Sequence, residues 1–161
     1  MDDRSDPRGH PTGRHEPARY DCDLYSWAVE QAALLRAGHT TEADVLNIAE
    51  EIDDVGIRQY DKLEYSLRVI VLHLLKWDHQ PERRSRSWHL SIAVQRKHVS
   101  KVLRKNPGLK PLVDEATTEA YDIARIEAAA QILRDEDIFP RECPYSIQDI
   151  MERPIDWPPA D

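Results

Sequence analysis

Nine consecutive residues, VIVLHLLKW (Val69–Trp77), are apolar nearly all the way round a helix. They end a longer stripe in which Tyr60, Leu63, Leu67, Ile70, Val71 and Leu74 recur at helical spacing. A helix that is apolar on one face lies against a core, and one that is apolar on every face lies inside it. This stretch therefore predicts the central, most buried helix of an all-α domain. Gln80-Pro81 predicts its end, because the residue before a proline avoids the α region.

The rest of the chain reads as helices gathered around that one. Its 161 residues suit one domain plus tails, enough to bury a core without a metal or a disulfide. Five glycines and a single phenylalanine argue against a β-rich fold. Leu24, Trp27, Ala28, Gln31, Leu34 and Leu35 predict a first helix, capped by Asp21 or Asp23 and ended by Gly38. Thr40 or Thr41 caps the second, whose stripe is Val45, Ile48, Ala49, Ile52 and Val55. Gly56 marks a break or a close helix crossing. The central helix follows as the third.

A fourth helix starts near Ser85 or Ser87, turns Trp88, Ile92, Val99, Val102 and Leu103 inward, and stops at Asn106-Pro107-Gly108. A fifth runs from about Pro111 to Leu133, with Leu112, Ala116, Ala120, Ile123, Ala130 and Leu133 inward. Residues 135–161 are irregular and proline-rich, with one short helix capped by Ser146. Ile138, Phe139, Tyr145 and Trp157 are the side chains that would pin this tail. Residues 1–20 hold three prolines, two glycines and almost nothing apolar, so they cannot offset their own ordering entropy. The expected architecture is a single bundle of about five helices over 21–150, a disordered leader over 1–20 and a C-terminal tail over 151–161.

Charge is unevenly spread. Residues 1–75 carry 8 basic and 15 acidic side chains, residues 76–105 carry 9 and 2, and residues 106–161 carry 5 and 13. A basic block is thus set inside an acidic protein, which disfavours general polyanion binding while allowing a local anion site. The longest apolar run is too short to span a bilayer. The opening MDDRSDPRGH has no apolar signal core. Cys22 and Cys143 form no motif. A cytoplasmic setting away from the membrane is the expectation.

Four separated blocks appear in order: DLYSWAVEQAALLRAG, NIAEEIDDVG, HLLKWDHQPERRSRSW and FPRECPYS. Together they resemble a bacterial family designated only as domain of unknown function 29, over about residues 20–150. The resemblance implies an all-α domain and brings no activity, substrate or catalytic residue.

The candidate site residues follow from local chemistry. Arg83, Arg84 and Arg86 crowd one turn after the central helix, and guanidinium forks suit carboxylates and phosphates. Glu50, Glu51 and Asp54 offer internal counter-charges, so the first expectation is a structural clasp between the two groups, with Trp77 and Trp88 as core or core-rim anchors. Arg86, Lys97, Lys101 and Arg104 also line one side of the fourth helix. With the neighbouring tryptophans, the basic 83–105 region supports a second reading, RNA or single-stranded DNA binding.

Arg68 and His73 match the Arg-x-x-x-x-His spacing of helical ribonucleases, in which the arginine steadies phosphate charge and the histidine moves a proton. Arg84 and His89 match it too, which shows how little the spacing specifies. Glu50 and Asp54 sit one turn apart, but the Glu-x-x-His pairs of a metal-binding bundle are missing. No P-loop, dinucleotide fingerprint or nucleophile elbow occurs, and neither a metal nor a cofactor is expected. The leading expectation is a small non-catalytic interaction or accessory domain that docks a protein partner, including a second copy of itself.

Overall fold

The computed structural model describes residues 20–157; the expectations for residues 1–19 and 158–161, the disordered leader among them, lie outside the described residues. The described chain is all-α. Its helices are α1 (Leu24–Ala37), α2 (Val45–His79), α3 (Arg86–Lys105), α4 (Val113–Ile132) and α5 (Ile147–Glu152). Short 3₁₀ turns at Pro81–Arg83, Pro107–Leu112 and Glu136–Ile138 connect them.

The ends of α1 follow from its sequence. The Asp23 carboxylate accepts the Ser26 N–H at 2.9 Å, satisfying a donor the helix leaves unpaired. Gly38 closes the helix at φ 78°, and its N–H turns back to the Leu34 and Leu35 carbonyls. Glycine takes this left-handed conformation without a Cβ clash.

Two expectations for α2 are corrected. Its cap is Asp44 rather than Thr40 or Thr41. The Asp44 carbonyl accepts the Ile48 N–H at 3.0 Å, and its carboxylate accepts the Asn47 N–H at 3.4 Å. Gly56 does not break the helix, which continues through it for 35 residues in all. Nor does Gly56 mark a close crossing, since a Cβ there would meet nothing within 4 Å. One glycine costs only about 1 kcal/mol against alanine, too little to interrupt a helix whose next turns are packed. The second and third predicted helices are therefore one.

The chain divides into two compact units between Ile52 and Asp53. In the first, α1 and the opening of α2 bury only Trp27 and Gln31. A polar latch holds that hairpin. The Gln31 side-chain carbonyl accepts the Asp44 N–H at 2.8 Å, and the Trp27 indole N–H reaches the Asp44 carboxylate at 3.3 Å. Tyr20 packs edge-on to Trp27 with ring centroids 4.8 Å apart and donates its hydroxyl to Glu51 at 2.9 Å.

The second unit has the core. Leu63, Leu67, Ile70, Val71, Leu74 and Leu75 of α2 are fully buried, against Ile92 and Val99 of α3. Each such side chain contributes roughly 1.5–3 kcal/mol of burial free energy. From α4 the core takes Ala116, Ala120, Ala124 and Ala128, a ridge repeating every fourth residue, with Tyr121 and Ile132 beside it. Small side chains along such a ridge let a helix approach closely. Ile123 and Ala130, expected inward, lie off this ridge and are exposed. Leu133 is 88 % exposed because it takes the left-handed cap conformation at φ 56°, which turns its side chain off the helix face.

The tail is drawn into this unit. Phe139, Ile150 and Ile155 are core residues, while Ile138 and Trp157 remain exposed. Ser146 caps α5 in a reciprocal capping box with Asp149. Arg96 of α3 donates to the Ile150 carbonyl at 2.7 Å and the Asp149 carbonyl at 3.2 Å. Arg153 grips the Asp78 carboxylate with both terminal nitrogens, Nη1 at 2.9 Å, and the Tyr145 hydroxyl donates to the same carboxylate at 2.8 Å. The packed region thus runs past residue 150.

Candidate functional site

The arginine cluster divides by role. Arg84 is half-buried; its Nε donates to the Trp77 carbonyl at 2.9 Å and its guanidinium lies 5.2 Å from the Trp77 ring centre. It satisfies one of the carbonyls that the end of α2 leaves open. Arg83 and Arg86 are exposed. Within the second unit no ion pair joins Arg83, Arg84 or Arg86 to a carboxylate, Asp54 included. Asp54 pairs instead with Arg58 one turn along the same helix, at 3.7 Å, and Glu51 takes the Tyr20 hydroxyl. Glu50 is exposed. Local geometry explains this, since a carboxylate on a helix meets the cation four residues on before it meets one in a distant turn.

Trp77 is buried and Trp88 packs against the core as a half-buried rim. Between them Lys76, only 9 % exposed, lays its ammonium 4.4 Å from the Trp88 ring centre and donates to the Gln131 side chain at 2.7 Å. Burial, with the nearby Arg83 charge, pulls its pKa down.

Arg68 and His73 do not assemble a phosphate-handling pair. Arg68 lies between Glu64 at 3.9 Å and Glu127 at 3.8 Å, so its charge is already answered. His73 stacks on Trp88 with ring centroids 6.4 Å apart, and its Nδ1 is buried without a hydrogen-bond partner. Burial, helped by the Lys76 charge, pushes its pKa down to about 4, so the ring is neutral at pH 7. Among the described residues no three histidine, cysteine, aspartate or glutamate side chains converge on a metal position.

What remains exposed and chemically distinctive is the outer side of α3. Arg86–Lys105 contains six basic side chains and no acidic one. Arg96 is used internally on α5, while Arg86, Lys97, Lys101, Arg104 and Lys105 face solvent. Interrupting them are Leu90 and Val94, one turn apart and 46 % and 47 % exposed. These two line an open groove of about 560 Å³ with Val69, Arg86 and Gln95. A second groove of about 520 Å³ lies toward the other end of α3, between Tyr65 and Lys62 of α2 and His98, Lys101 and Lys105. Single-residue spacing marked the basic stripe; it did not mark Leu90 and Val94, which an inward-facing pattern passes over because they lie on the opposite side of the helix from Trp88, Ile92 and Val99.

The chain matches the family model described as Domain of unknown function DUF29 over residues 19–155. It belongs to that family. The match spans α1 to the core residue Ile155, so both compact units of the described chain fall within the family domain. No curated protein and no solved structure matches the chain. The family description carries no activity, and the basic groove on α3 stands on its own geometry.

Proposed function

We propose that this domain is a non-catalytic protein-interaction module of the bacterial cytoplasm, and that its docking surface is the outer side of α3. One observation carries the reading: Leu90 and Val94 are about half exposed in a groove whose helix bears only basic charge. An apolar strip rimmed by charge of one sign suits an amphipathic helix with an acidic border. The apolar pair supplies burial and the rim supplies register and encounter rate. Cys22 and Cys143 are both free thiols, in keeping with a reducing compartment. Among the described residues no helix is long and apolar enough to cross a membrane.

The test is fluorescence anisotropy of the full chain with a labelled Glu/Leu amphipathic helical peptide. Binding that weakens with salt and is lost in Leu90→Asp/Val94→Asp supports the reading. Absence of binding at low salt, or equal binding by the variant, rejects it.

A second reading, single-stranded nucleic acid binding, is favoured by the other groove. Tyr65 is 51 % exposed beside Lys62, Lys101 and Lys105, a stacking ring among cations. Asp61 on the same wall repels phosphate, which places this reading second. Labelled oligo(U) tests it. The expected signature is an affinity that falls steeply with salt and is lost in Tyr65→Leu.

A further inference from the structure

The outer side of α4 is the counterpart of the α3 face. α4 carries five acidic side chains and one basic, Arg125, the largest acid excess of any helix among the described residues. Arg125 is already engaged by Glu136 at 3.6 Å. Glu115, Glu119 and Asp122 are exposed; within the second unit none of them is in an ion pair, and Glu119 accepts the Tyr60 hydroxyl through one oxygen at 2.8 Å. Past these carboxylates the same side of α4 turns apolar, with Ile126 58 % exposed and Ala130 exposed one turn on. Along α3 the order is the reverse: the exposed Leu90 and Val94 come first, and Lys97, Lys101 and Lys105 follow. At about 100° per residue, each of these sets stays within roughly 80° of one helix side.

We infer that the occupant of the α3 face is the α4 face of a second copy of this chain, the two helices lying antiparallel. The inference rests on the proposed reading of α3 as a docking surface and names its partner. Register selects the pairing. Backwards along α3, Lys105, Lys101, Lys97, Val94 and Leu90 follow one another at three- or four-residue steps. Forwards along α4, Glu115, Glu119, Asp122, Ile126 and Ala130 do the same. Laid antiparallel over about 22 Å, at 1.5 Å per residue, Lys101 meets Glu119 and Lys97 meets Asp122, while Val94 meets Ile126 and Leu90 meets Ala130. A parallel pairing would set Leu90 and Val94 on carboxylates. Two α3 faces would set base against base, and two α4 faces acid against acid. Both faces are exposed in the single chain, so the contact is made between copies. The apolar pairs supply association free energy and the ion pairs fix the register. One four-turn helix pair belongs with the small, transient interfaces, under roughly 1,200 Å², so the association is weak and concentration-dependent.

Sedimentation of the full chain over a concentration series tests this with two charge reversals, Lys97→Glu/Lys101→Glu on α3 and Glu119→Lys/Asp122→Lys on α4. All four positions are exposed, so both variants keep the wild-type helical signal in circular dichroism. The wild type is expected to associate as concentration rises, and less so as salt rises. Each reversal alone sediments as a monomer, because it sets like charges across the contact. An equal mixture of the two associates again, since the reversed α3 of one now meets the reversed α4 of the other. A reversal variant that associates like wild type overturns the inference, and so does a mixture that stays monomeric. A wild type that is monomeric yet binds the Glu/Leu peptide removes the second copy as partner and leaves the docking reading standing; a wild type that does neither removes both.

Discussion

The two compact units are held together in different ways. From Asp53 onward, three long helices and a tail enclose a continuous apolar core in which Leu63, Leu67, Ile70 and Leu74 have no exposed surface. Up to Ile52, two helix segments enclose Trp27 and Gln31 and are fastened by hydrogen bonds that converge on Asp44. The first arrangement draws on burial, at roughly 25 cal/mol for each Å² of apolar surface. The second draws on hydrogen bonds whose net worth is about 1 kcal/mol each. The core unit therefore carries most of the buried apolar surface, and the hairpin has little of its own.

Truncation in the core has the largest expected effect. Leu67→Ala removes a fully buried side chain from α2 and should cost about 2–5 kcal/mol, read as a lowered denaturant midpoint for the whole second unit. A loss below about 1 kcal/mol would mean that the contrast between the units is overdrawn.

Next in size is a pH effect at His73. Its folded pKa of about 4 lies below the ordinary 6.5. The unfolded chain therefore binds more protons between those values, and stability falls as pH drops from about 6.5 toward 4. The full loss is up to about 3 kcal/mol. His73→Gln should flatten that part of the stability–pH curve. Asp78 acts lower on the scale: the Arg153 and Tyr145 hydrogen bonds hold its carboxyl below the usual range against an opposing burial penalty. Its contribution is complete above about 3.8, the ordinary value, and is lost only in stronger acid. An Asp78→Asn variant should lose that acid limb while His73 titrates as before.

In the hairpin, Asp44→Ala removes the cap of α2 and the partner of Trp27. About 1 kcal/mol is expected, seen as faster amide exchange in α1 and the first turns of α2, with protection in α3 and α4 unchanged. Slowed or accelerated exchange in both units alike would show that they open together. Smallest is Gly56→Ala. A Cβ there has open space, so the helix should gain roughly 0.5–1 kcal/mol from the lost backbone entropy of glycine.

The sequence was legible where one helix face met one continuous environment. The apolar run Val69–Trp77 is the buried middle of the core, and Asp23, Gly38, Ser85 and Ser146 cap helices at or beside the expected places. It was less legible where a partner lies far along the chain. The bidentate arginine–carboxylate pair among the described residues joins Asp78 to Arg153, 75 residues away; no local spacing joins them. Arg84 finds a carbonyl rather than a carboxylate because the end of α2 leaves carbonyls open beside it. On α4 the expected stripe put Ile123 inward, whereas the alanine ridge is the face that packs, because close approach favours the smaller side chains. The apolar stripe Val45, Ile48, Ile52 and Val55 was legible as a stripe, yet Val45, Ile52 and Val55 are exposed. Periodicity marks a face that wants cover; it does not say which surface supplies the cover.

The tail contributes Phe139, Ile150 and Ile155 to the core, and Arg96, Asp78 and His89 hold it there from the middle of the chain. Synthesis proceeds from the N-terminus at about 5–20 residues per second, so α2 and α3 exist for seconds with the seats of those three side chains empty. The core of this domain closes only after Ile155 has left the ribosome, and until then the nascent chain carries a bare apolar cleft.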